Sequence, residues 1–95
     1  MKQRVCIMYR MTEHVRLDLA LCRERTHEYR WEIVSEIKIP FIGRAEAERK
    51  MLRLARRKRF DILMVSDLEC LGTMRDMLRI SGVLNEMGIE LYRVK

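Results

Sequence analysis

Residues Phe60 to Thr73 read FDILMVSDLECLGT, and this stretch decides the fold. Asp61 opens it, Ile62, Leu63, Met64 and Val65 follow without a charge, and Ser66-Asp67 breaks the run into a polar turn. With helical patterns on both sides, the apolar run predicts a buried central strand of a parallel sheet covered on both faces. In open sheets of that kind, ligands and chemistry collect beyond the carboxyl ends of the strands. Here that end carries Asp67, Glu69 and Cys70.

Upstream, Arg4 to Arg10 (RVCIMYR) is rich in β-favouring and apolar side chains and predicts a first strand. Thr12 is a good N-cap residue, and from Val15 the positions Val15, Leu19, Cys22, Thr26 and Tyr29 recur at helical spacing, predicting an amphipathic first helix. A second strand is expected over Trp31 to Ile37, at a sheet edge because Glu32 and Glu36 alternate along it. Lys38 to Gly43 (KIPFIG) contains the only proline and predicts a loop whose apolar residues fold back or meet a partner. The second helix is expected from about Ala45 to Arg57, with Ala47, Met51, Leu54 and Ala55 inward.

Downstream, Thr73 to Asp76 (TMRD) matches the Ser/Thr-x-x-acid capping pattern. It predicts a third helix with Met74, Met77, Ile80, Leu84 and Met87 inward, ended by Gly88. Ile89 to Val94 reads as a fourth strand. The βαβαβαβ order predicts an α/β three-layer sandwich with a mainly parallel four-stranded sheet, as one domain over residues 1–95. Strands one and three should then be neighbours, with Arg10 and Thr12 facing Asp67, Glu69 and Cys70 across one crevice.

Of the 95 residues 48% are hydrophobic, and no segment approaches the roughly 18 consecutive apolar residues that would cross a membrane. The amino terminus lacks the pattern of a secretory signal, which makes the cytoplasm the expected compartment. Three cysteines, Cys6, Cys22 and Cys70, without zinc-site spacing, are expected as reduced thiols. The formal charge is +6, and the segment from Arg44 to Arg59 holds eight basic and two acidic residues, which accounts for all of it. Arg44, Arg49, Lys50, Arg53, Arg56 and Arg57 are therefore the candidate DNA-binding residues, because a basic face attracts phosphates whatever their sequence. The alternative is a solvated helix face.

The chain resembles the amino-terminal catalytic domain of the serine recombinases, the resolvase and invertase family, over nearly its whole length. In that family the first strand ends in Tyr-x-Arg-x-Ser. The corresponding MYRMT puts Arg10 on the arginine and Thr12 on the nucleophilic serine, with Met8 at the usual tyrosine. The family signature Asp-Arg-Leu-Gly-Arg falls on Glu69-Cys70-Leu71-Gly72-Thr73, so that Glu69 keeps the acid while Cys70 and Thr73 stand where two arginines are usual. Arg44 matches a further active-site arginine. The resemblance implies a resolvase-like fold of flavodoxin-like topology and a degenerate active site built on Arg10, Thr12 and Glu69. Family chemistry attacks a phosphodiester with the serine hydroxyl while arginines balance the developing charge. Loss of one such donor typically costs about 10² to 10³ in rate, so the resemblance implies a catalytically inactive relative.

That relative is expected to act as a DNA-associated or interaction module, without cofactor or metal, as a homo-oligomer. Alternatives are a homodimeric interaction domain contacting through Phe41, Ile42 and the flank of strand two, or an active recombinase fragment using Thr12 or Cys70. Active members of the family continue into further sheet, a long dimerising helix and a separate DNA-binding domain. A fragment of a larger recombinase and a stand-alone domain are both compatible with a sequence ending at Lys95. Local readings compete at individual positions. Thr12 and Thr73 both sit where helix caps belong, and capping alone explains them more readily than catalysis. Cys70 reads as a plain loop thiol unless a cation such as Arg10 or His14 lowers its pKa. His14 and His27 have no ligand pattern, and Asp67, Glu69 and Glu13 could gather around Mg²⁺.

Overall fold

The uncharged run Ile62–Val65 is a fully buried strand in the computed structural model, which describes residues 2–95. The elements follow one another as β1 (Arg4–Arg10), α1 (Val15–Glu28), β2 (Glu32–Ile39), α2 (Arg44–Arg56), β3 (Ile62–Val65), a 3₁₀ turn at Leu68–Leu71, α3 (Met74–Glu86) and β4 (Glu90–Arg93). The four strands form one parallel sheet in the order β2-β1-β3-β4. Cys6 lies opposite Leu63 and Met8 opposite Val65.

The chain steps from β1 outward to β2, then returns across the sheet to β3 and on to β4. Crossovers of a single hand place the helix of the outward step on one face and the helices of the return steps on the other. The packing follows that rule. Val5, Ile7, Cys22, Ile62 and Met64 make the core beneath α1. Cys6, Met8, Ile37, Ile39, Met51, Leu63, Val65, Ile80 and Leu84 make the larger core beneath α2 and α3. At the margin of the smaller core Tyr29 stacks on Trp31 at 4.5 Å, and Tyr92 meets both edge-on.

Several boundaries and faces differ from the sequence expectation. β2 continues to Ile39, because Ile37 and Ile39 both drop into the larger core before Pro40 ends the strand. Its register slips beside Val5 and Cys6, so that Val34 has no partner on β1. Such a bulge, with Glu32, Glu36 and Lys38 along the strand, discourages edge-to-edge pairing. On α2 the buried arc is Ala47, Met51, Leu52 and Ala55, with Leu54 only half-buried. Met74, expected inward, is 68% exposed, and Tyr29 is 51% exposed.

α1 begins at Val15, where its apolar periodicity starts, but with a different cap from the one expected. Thr12 is not its cap; that position falls to His14, which makes no side-chain capping bond. The Thr12 hydroxyl instead accepts from the His14 N–H at 3.1 Å, closing a local turn before the helix begins. The α3 start is as expected. Thr73 accepts from the Asp76 N–H at 3.2 Å, and the Asp76 carboxylate accepts from the Thr73 N–H at 3.1 Å.

Candidate functional site at the strand ends

β1 and β3 run side by side at the point where the chain reverses its direction across the sheet, and it is beyond the carboxyl ends of such strands that open sheets form their crevice. Arg10, the last residue of β1, reaches the loop after β3. Its guanidinium donates from Nε and one Nη to the two oxygens of Asp67, each at 3.2 Å, and also meets Glu69 at 3.2 Å. Asp67 holds the Arg10 pKa above its ordinary value through these hydrogen bonds. Arg10 therefore meets Asp67 and Glu69 as expected, and both contacts are made from the same Nε/Nη edge of its guanidinium.

Thr12 does not join them. Its hydroxyl donates to Asp18 at 3.5 Å, and Asp18 is a buried carboxylate of α1 that also pairs with the Lys95 ammonium. Asp18 raises the Lys95 pKa, mainly through that hydrogen bond. Sequence reasoning missed Asp18, because an acid on an amphipathic helix reads as solvated. Its position was visible in the spacing: Asp18, Cys22 and Thr26 stand four residues apart on one stripe, and all three are buried. At the strand ends Arg10 is thus paired with Asp67 and Glu69, and Lys95 with Asp18.

Cys70 is neither an exposed loop thiol nor a candidate nucleophile. It has no exposed surface, and its Sγ lies 3.3 Å from the Ser66 hydroxyl and 3.7 Å from the Met8 carbonyl. Burial pushes its pKa up, with the hydrogen bond from Ser66 acting against that rise. An acidic pocket for Mg²⁺ does not form: Asp67 and Glu69 turn to Arg10, and Glu13 meets His14 at 3.3 Å. Among the described residues no group of three ligand-type side chains is arranged to hold a metal ion.

Arg44 differs from the other candidate basic residues of α2 in being paired. It pairs with Glu48 and Asp76, each at 3.1 Å, and donates to the Leu71 carbonyl at 3.3 Å. Arg79 closes the set by meeting Glu48 at 3.0 Å and Asp76 at 3.4 Å. This network ties the starts of α2 and α3 to the end of the 3₁₀ turn. Gly72 permits it, with φ of +89° and no side chain to obstruct the Arg44 guanidinium.

The remaining basic residues of α2 behave differently. Arg49, Lys50, Arg53, Arg56 and Arg57 are exposed, and among the described residues no carboxylate lies within ion-pair distance of them. Arg49, Arg53, Arg56 and Arg57 line one shallow hollow floored by Leu52. Arg57 also borders a neighbouring hollow with Arg4, Glu32 and Arg59, at the amino ends of β1 and β2. Arg44, by contrast, starts the helix beside Leu71, close to the carboxyl ends. Twelve residues at 1.5 Å each separate Arg44 from Arg56 by about 18 Å along the helix. The basic half of α2 and the Arg10 crevice therefore lie toward opposite ends of the sheet.

No family model matches the chain, and neither does any curated protein. Among solved structures, the N-terminal catalytic domain of TP901-1 integrase matches 97% of this chain and 77% of its own, with a TM-score of 0.86 and 17% sequence identity. The fold is therefore that of an integrase catalytic domain, a resolvase-like three-layer sandwich. No helix among the described residues is long and apolar enough to cross a membrane.

Proposed function

We propose that this chain is a serine-recombinase-like domain that does not carry out strand exchange and acts as a DNA-associated module. The observation that carries this reading is the charge arrangement at the strand ends. Phosphodiester attack needs cationic donors free to meet the developing charge. Arg10 is already paired with Asp67 and Glu69, and Lys95 with Asp18. Cys70 is buried and Thr73 caps α3, so neither position supplies a donor to phosphate. Thr12, which the recombinase resemblance assigns as nucleophile, sits against the Asp18 carboxylate. The exposed cations of α2 support association with nucleic acid.

Incubation with nicked duplex DNA followed by denaturing electrophoresis tests the absence of chemistry. No covalent protein–DNA species is expected. An adduct mapped to a phosphothreonine at Thr12 would overturn the proposal in favour of an active enzyme.

A second reading, a homodimeric interaction domain, rests on Phe41 and Ile42, which are 83% and 90% exposed between β2 and α2. Solution mass measured for the native protein and for Phe41→Glu separates the two. A dimer that dissociates in the variant supports the second reading, and a monomer in both cases removes it.

A further inference from the structure

The four arginines of the α2 hollow are spaced i, i+4, i+7 and i+8, which places them along one stripe of the helix. Arg53 and Arg56 lie in its last turn, where they complement the negative end of the macrodipole. That effect does not account for Arg49 and Lys50 further back, nor for the absence of any carboxylate partner among the described residues. Other cations are either paired, as Arg4 with Asp61, Arg23 with Glu36 and Arg79 with Glu48, or stand outside this hollow, as Arg16, Lys38, Arg75 and Arg93 do. A stripe of unpaired guanidinium groups around a hollow matches an anion carrying several charges in a row, because each group can fork onto phosphate oxygens.

The hollow has no aromatic lining. Proteins that hold single strands stack bases on aromatic side chains as well as tracking the backbone. The aromatic cluster of this protein, Tyr29, Trp31 and Tyr92, is engaged in its own stacking beside the core under α1, on the other face of the sheet from α2. The chemistry on offer is thus backbone-phosphate recognition without base readout.

We infer that the arginine hollow of α2 is a sequence-independent docking site for the phosphate backbone of double-helical DNA, and that DNA held there is kept away from the Arg10 crevice. This rests on the DNA-associated reading above and adds where the duplex sits and what it cannot reach. Four phosphate contacts give a log–log salt slope of about −3.6, or on the order of a 100-fold loss of affinity between about 50 and about 200 mM salt.

Binding of random-sequence duplex DNA, measured across that salt range, tests the inference. In the variant with Arg49, Arg53, Arg56 and Arg57 all changed to Gln, the slope should fall by about 3 to 4. A charge-matched variant with Arg16, Lys38, Arg75 and Arg93 changed to Gln, all exposed and outside the hollow, should keep the native slope. Equal loss in both variants would reduce the effect to net charge and overturn the site. The unmodified protein supplies an independent check. Photo-crosslinks from the duplex backbone should map to residues 49–59 and spare residues 10–12 and 67–73; crosslinks at the crevice would overturn the inference. Tighter binding of single strands or of duplex RNA than of duplex DNA would overturn the assigned ligand, and absence of DNA binding at low salt would leave an acidic protein as the partner of the hollow. These failures are distinct from a covalent Thr12 adduct, which would defeat the proposal of inactivity while leaving the hollow intact.

Discussion

The Arg44 guanidinium lies so close over the backbone of Gly72 that a methyl group there would come 2.7 Å from its Cζ and 2.7 Å from an Asp76 carboxylate oxygen. Arg44 bonds from this position to the Leu71 carbonyl and to Asp76, so one glycine governs how α2, α3 and the 3₁₀ turn meet. Two independent demands therefore fall on Gly72: the positive φ, which no neighbour can relieve, and the close approach, which Arg44 can relieve only by leaving its partners.

Gly72→Ala is expected to destabilise the protein by about 2 kcal/mol or more, combining backbone strain of about 1–3 kcal/mol with the displaced guanidinium. In an Arg44→Ala background the same change should cost less, because only the strain and the contact with Asp76 remain. Urea denaturation of the four proteins in this cycle measures the difference. Equal cost in both backgrounds would show that the close approach carries no energy.

Thr73→Ala removes the reciprocal bonds that start α3 and should cost about 1 kcal/mol, with Thr73→Ser nearly neutral. The same cap shapes the acid response. Bonds from Thr73, then from Arg79 and Arg44, lower the Asp76 pKa, as Arg4 lowers that of Asp61 and Arg23 that of Glu36. A carboxylate with a depressed folded pKa contributes stability above its unfolded value, near 4, and loses it as pH falls through the folded value. Stability should hold from neutral pH to about pH 4 and decline below it, less steeply in Thr73→Ala. Denaturant midpoints taken between about pH 6 and about pH 2 would show whether the two slopes differ.

All three thiols are buried, and burial pushes Cys6 and Cys22 up to about 12 and Cys70 upward as well. A disulfide reagent at neutral pH should modify none of them in the native protein and all three in denaturant. Because the unfolded thiols ionise near 9 while the folded ones do not, the thiols favour the folded state fully below about pH 9 and progressively less as pH rises above it. Rapid modification of native Cys70 would contradict its enclosure between Ser66 and Met8.

Cys70→Arg places a guanidinium in a site with no exposed surface, and the nearby Asp67 is already bound to Arg10. A loss of about 3 kcal/mol or more is expected, as for other unpaired buried charges. Thermal melting would reveal it. An unchanged melting temperature would mean that the loop opens to let the arginine out.

The sequence alone was enough for the architecture. Apolar Ile62–Val65 between two helical periodicities, the TMRD cap and the glycine at 88 each carry a local signal strong enough to stand without neighbours, and all appear as expected. The concentration of basic residues between Arg44 and Arg59 was equally plain. Only the tertiary structure set Arg44, which clamps Gly72, apart from Arg49, Arg53, Arg56 and Arg57, which line an open hollow. It also brought out Asp18 as the buried partner of Thr12 and Lys95, and turned Cys70 from a loop thiol into core. The physical reason is common to all of these. Periodicity and caps are written in residues a few positions apart, whereas the partner of a charge or the burial of a thiol depends on side chains that only chain reversal brings together, as Arg10 with Asp67 and Asp18 with Lys95.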